Sequence, residues 1–212
     1  MESSERLFNM QNMIIRKKIG SFGGFLEKNL AEYLPIFLLL TCYVLGFAIG
    51  YNGSQNMNSD ETDRISQMFF SAPEKQFLPL AVSFYASVAV LTVLFGLSVC
   101  GFITVPVLTS FFGVACGYEM EIGRVLFAGK TYVIMIAGIL PAISFFGAIL
   151  IRYGKTASLL SYEIYGAFLH KSPGKPNRVD LRSYLSAGAA VLLSANVCSV
   201  AHYLALKIAM NF

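Results

Sequence analysis

The chain has 212 residues, of which 56% are hydrophobic and only 13% charged, with a mean hydropathy of +0.62. Soluble domains carry about 25% charged residues, so the composition excludes a surface that faces water throughout and requires one that largely faces lipid. The net charge of +4 is modest. Where the basic residues lie therefore matters more than their sum, and no nucleic-acid partner is expected.

Residues 1–33 are polar and basic, with Arg6, Arg16, Lys17, Lys18 and Lys28. Leu7, Met10, Met13, Ile14 and Ile15 predict an amphipathic helix lying on the membrane surface. Gly20, Gly23 and Gly24 interrupt it, and a second short helix is expected from Phe25 to Leu34. A signal peptide would carry its apolar core close behind a short basic region. Here the first long apolar run begins only at Leu34, so it reads as a retained anchor.

The first span is expected over residues 34–51. No charge occurs from Pro35 to Gln55, and about 20 apolar residues suffice to cross a bilayer. Residues 52–76 read as a polar loop, with Asp60, Glu61, Asp63 and Glu74 outnumbering Arg64 and Lys75. Asn52 opens an Asn-Gly-Ser sequon, a match that carries meaning only where glycosylation machinery exists.

No charged residue occurs between Lys75 and Glu119. As one helix that run would reach roughly 65 Å, about twice the hydrocarbon thickness. It must fold back, and Gly96, Gly101 and Pro106 mark where. Spans two and three are expected over 77–100 and 104–119. The hairpin between them is short and apolar. Its free backbone groups must be sheltered by protein or lie at the interface.

Residues 119–130 form a connector of mixed charge. The fourth span is expected over 131–151, with Pro141 at its centre, where a proline usually kinks a membrane helix. Residues 152–182 hold six basic residues and another amphipathic stretch between Thr156 and Leu169. The fifth span is expected over 183–208. The fold class is thus all-α: a polytopic helical bundle of about five spans, with short interfacial helices, following a separate N-terminal region of residues 1–33.

The charges orient it. With the N-terminus inside, the inner segments 1–33 and 152–182 hold five and six Lys/Arg, and the outer loops 52–76 and 119–130 hold two each. Basic residues favour the cytoplasmic side, so the bundle is expected N-in and C-out.

Ionisable groups at bilayer depth would mark a transport path. Asn196 and His202 are the strongly polar side chains well inside the fifth span, read as a polar relay, as ordinary interhelical hydrogen bonds or as residues near the interface. Gly113 and Gly117 form a Gly-xxx-Gly pair. Small residues also recur around Gly138, Ala142 and Gly147 and around Ala187, Gly188, Ala190 and Ala195. Such faces let helices approach closely, within one chain or between two copies. Cys42, Cys100, Cys116 and Cys198 form no Cys-x-x-Cys pair and read as small packing residues. No nucleophile–base pair, metal cluster or phosphate loop is apparent. The chain is expected to be no enzyme and to need no cofactor or metal.

The stretch from Phe95 to Leu108, Phe-Gly-Leu-Ser-Val-Cys-Gly-Phe-Ile-Thr-Val-Pro-Val-Leu, followed by Phe-Gly-Val-Ala-Cys-Gly-Tyr from Phe112 to Tyr118, resembles the centre of the stage II sporulation protein M family. The Leu140-Pro141 pair, the length and the polar loop after the first span agree with that layout. The motifs cover about 50 residues. The resemblance implies a mother-cell membrane protein of an endospore-forming bacterium. Its role would be to scaffold two peptidoglycan-degrading partners, stage II sporulation proteins D and P, during engulfment. A wider branch implies instead a membrane permease subunit beside an ABC-type export system.

Overall fold

The computed structural model describes residues 33–55, 60, 64, 74–127, 129–169 and 180–210. The chain divides into two units, Met1–Phe37 and Leu38–Phe212. Apart from Tyr33–Phe37 at the start of the first helix, everything below concerns the second. The expected surface helix of residues 1–33, the Asn-Gly-Ser sequon's loop beyond Gln55, and the Lys-Ser-Pro-Gly run at 171–174 lie largely or wholly outside the described residues.

Five helices are long and apolar enough to cross a membrane. They are α1 (Tyr33–Gln55), α2 (Glu74–Gly96), α3 (Gly101–Leu126), α4 (Lys130–Phe168) and α5 (Leu181–Met210). No strand occurs among the described residues. This is the architecture of a multi-pass membrane protein, and the all-α expectation holds. Helix α4 packs on α5, α3 and α2, and α2 also packs on α3 and α5.

The bundle is apolar outside as well as inside. Phe111, Val133, Phe145, Leu193 and Val197 are all more than half exposed. In water such a surface would drive aggregation; in lipid it costs nothing, and helices associate instead through close packing and hydrogen bonds. The centre is aromatic. The rings of Tyr85 and Phe146 meet edge to face at 5.0 Å, and Phe112 meets Phe146 at 5.2 Å. All three side chains are almost fully buried.

The fold-back falls at residues 97–100, earlier than the placement of the third span at 104 implies. Pro106 therefore lies inside α3, six residues into the helix. At the sixth position it falls past the four N–H groups that lack an intrahelical partner, so the helix forgoes the i→i−4 bond to Phe102 O and continues through it. Each arm has its own full-length helix, so neither is a re-entrant loop. The turn's groups are paired locally: Leu97 N–H donates to Leu94 O at 3.1 Å and Ser98 N–H to Phe95 O at 3.0 Å.

The fourth span extends further than expected. Helix α4 has 39 residues and runs through Pro141 without a break. At 1.5 Å per residue it is roughly 58 Å long, against a hydrocarbon core of about 30 Å. The amphipathic stretch after Thr156 is its continuation and not a separate surface helix. No proline intervenes, and at Gly154 a side chain would press on Leu39 and Val105 methyls at 3.2 Å. The start of α5 is set by Asp180, whose carboxylate accepts from the Arg182 and Ser183 N–H groups, both at 3.3 Å. This is a helix N-cap.

Candidate functional site

Two places in the bundle concentrate polar chemistry, one at the hairpin and one near the opposite end. At the hairpin, Cys100 precedes α3 but makes no side-chain cap. Ser161 of α4, fully buried, supplies the missing group. Its Oγ accepts from Phe102 N–H at 2.9 Å and donates to Ser98 O at 2.6 Å. A second strap comes from α5, where the Tyr184 hydroxyl donates to Val93 O at 2.8 Å. Gly96 leaves room for that hydroxyl, and a Cβ there would also meet Ala157 at 2.8 Å. Gly101 lies against Phe95 O, with Ser161 Cβ at 2.9 Å from where its own Cβ would be. The hairpin is thus sheltered by protein, as the cost of bare backbone in lipid requires.

Gly113 and Gly117 pack within the chain. A Cβ at Gly113 would strike Tyr43 O and come within 3.0 Å of Phe47 N. One at Gly117 would strike Phe47 O and reach Tyr51 N at 2.8 Å. Their partners are Gly46 and Gly50, which lie against the Ser110 and Val114 carbonyls. The two seams rise together, so α1 and α3 run parallel in backbone contact. The Gly46-xxx-Gly50 half was missed in the sequence, although it has the same spacing as the half that was seen. Gly138 meets Ala205, and Gly188 meets Val93 and Tyr153.

The second place is built on His202. It lies 18 residues beyond Tyr184 on α5, and Glu119 lies 18 residues beyond Gly101 on α3. Both are therefore about 27 Å along their helices from the hairpin end. His202 Nε2 contacts Glu119 Oε1 at 2.5 Å, and His202 Nδ1 lies 3.1 Å from the Tyr85 hydroxyl of α2. Tyr85 and His202 are buried, while the Glu119 side chain keeps 26% exposure. Three helices are joined through one imidazole. Glu119 was expected only as a span end, and Tyr85 was not singled out. Neither residue announces itself in sequence, because the partners lie 83 and 117 positions from His202.

The trio forms one wall of a cavity of about 310 Å³. The other walls are Leu80, Ala81, Phe84, Ala115 and Leu206, so the space is apolar with one ionisable corner. Asn196 does not join it. It is exposed on the outer face of α5, and its Nδ2 donates back to Leu192 O of its own helix at 2.8 Å. Asn196 does lie well inside α5 along its length, but its side chain faces outward, where an amide satisfies itself on the preceding turn. Pro141 is likewise on the outside of α4. At the far end of α3, Arg124 grips Glu121 with two bonds, Nε to Oε2 at 2.8 Å and Nη2 to Oε1 at 2.6 Å.

Compared with known proteins, the chain matches no family model, no curated protein and no solved structure.

Proposed function

We propose that this chain is a non-enzymatic membrane scaffold of a cell-wall-remodelling complex. It would act in the engulfment step of sporulation and anchor peptidoglycan-degrading partners resembling stage II sporulation proteins D and P. The observation that carries the reading is how firmly the helices are fixed to one another. Gly46, Gly50, Gly113 and Gly117 bring two backbones into contact, and Ser161 and Tyr184 strap the α2–α3 hairpin to α4 and α5. A bundle fastened in this way suits a part that holds others in place. The resemblance around Phe95–Tyr118 and Leu140-Pro141 supplies the kind of partner. In this reading the protein sits in the cell membrane with the N-terminus and the hairpin inside and the C-terminus outside. The test is co-purification from sporulating cells. A peptidoglycan hydrolase should be enriched with the tagged chain, and deletion should arrest engulfment. If neither happens, the reading fails.

A second reading, a permease subunit of an ABC-type exporter, is favoured by the cavity beside His202 and Glu119. It predicts that the same pull-down enriches an ATPase. Against it, Pro141 leaves α4 unbroken, whereas substrate sites of transporters are typically built on discontinuous helices.

A further inference from the structure

We propose that the cavity between α2, α3 and α5 is a binding site for an organic ammonium ion, with Glu119 as its counter-ion and the rings of Phe84 and Tyr85 as its aromatic wall. The inference goes beyond the scaffold reading and applies whichever membrane complex the chain joins.

The charge of the corner follows from counting protons. Tyr85 is 1% exposed, and its hydroxyl has one hydrogen-bond partner among the described residues, His202 Nδ1. A phenol buried in this way needs an acceptor for its proton. Nδ1 serves only if it carries no proton itself. The hydroxyl then donates to Nδ1, and Nε2–H donates to Glu119 Oε1. Every proton of the trio has an acceptor in this one arrangement, with the imidazole neutral. A doubly protonated ring would force Tyr85 to accept at Nδ1 and leave its own proton unplaced, a costly state in a buried site. In that arrangement the imidazole only donates to Glu119, whose carboxylate is the charged group of the corner.

That charge is only half used. Glu119 Oε2 has no partner among the described residues. The cation closest in sequence, Arg124, is committed to Glu121 through both of its bonds. A single carboxylate beside apolar walls attracts a cation whose body is itself apolar. Phe84 and Tyr85 line the same cavity as the charge, and aromatic faces favour ammonium groups. A metal ion would need more oxygen or nitrogen donors than this corner offers. An anion would meet the free carboxylate oxygen.

The test uses the full-length chain, purified in a neutral detergent, and three probes with one aromatic body: benzyltrimethylammonium, benzyl alcohol and phenylacetate. Titration calorimetry should show saturable binding of the ammonium, at least tenfold tighter than of the alcohol, and none of the carboxylate. Glu119→Gln keeps an acceptor for His202 but removes the charge, and should weaken the ammonium at least tenfold while leaving the alcohol unchanged. Ala115→Leu fills the cavity away from the trio and should abolish binding of both, with unchanged thermal unfolding as the control for folding. Equal affinity for the three probes, or undiminished ammonium binding in either variant, overturns the proposal. The natural ammonium could be a lipid headgroup or a free amine. Nanodiscs distinguish these: phosphatidylethanolamine competes with the probe in the first case, and only soluble amines do so in the second.

Discussion

Ser161 and Phe102 are 59 residues apart in the chain, yet the serine hydroxyl supplies the cap that the first turn of α3 lacks, at 2.9 Å. Replacing it orphans the Phe102 N–H and leaves Ser98 O only the long 3.4 Å bond from Gly101 N–H. We expect Ser161→Ala to cost about 1–3 kcal/mol, the penalty for buried unsatisfied groups. Thermal unfolding in detergent measures it. Ser161→Cys, a weak donor and acceptor, should fall between the two.

The parallel seam of α1 and α3 leaves no space for a side chain. Gly117→Leu must push α1 away from α3 at Phe47 and Tyr51, and we expect a loss on the order of 3 kcal/mol or more, as for overpacked cores. Gly53, which has nothing within 4 Å of its Cβ position, is the internal control: Gly53→Ala should hold or raise the unfolding temperature, since alanine favours the helix.

Orientation can be read from the native thiols. Cys100 is exposed at the hairpin, whereas Cys116 and Cys198 are buried and Cys42 is partly so. With the N-terminus inside, Cys100 faces the cytoplasm. In intact cells it should react with a membrane-permeant maleimide and resist an impermeant one. Rapid labelling by the impermeant reagent would invert the topology.

The trio should behave as a unit. Tyr85→Phe removes one hydrogen bond at about 1 kcal/mol. His202→Ala should cost more, because it orphans the Tyr85 hydroxyl and Glu119 together. The two changes should be non-additive by about 0.5–3 kcal/mol, as for residues in one network. A double-mutant cycle by thermal unfolding decides it.

The helices were legible because apolar length alone specifies a span. The uncharged run between Lys75 and Glu119 had to be two helices, and it is. The end of α4 was not legible: Arg152 and Lys155 look like a span boundary, yet nothing there breaks the helix. Gly113 and Gly117 were recognised by spacing, while their partners on α1 became evident only from backbone proximity. His202 stood out as an isolated polar residue. What it does could not be read, because Tyr85 and Glu119 reach it from other helices. Asn196 looked equivalent to His202 in the sequence, but it lies six residues earlier, about 600° around the helix at 100° per residue and so well off the His202 face.

The length of α4 has a mechanical consequence. The same unbroken rod begins at Lys130 beside the far end of α3, passes Ser161 under the hairpin with the exposed Tyr162 ring edge-on to Phe102 there, and carries Phe168 as an exposed ring beyond it. Because the hairpin is bonded to the rod, neither can tilt alone. A 10° tilt of a lever roughly 58 Å long displaces one tip by about 10 Å relative to the other. A protein gripping Tyr162 and Phe168 would hold the handle of that lever, and its pull would be felt on the opposite side of the membrane.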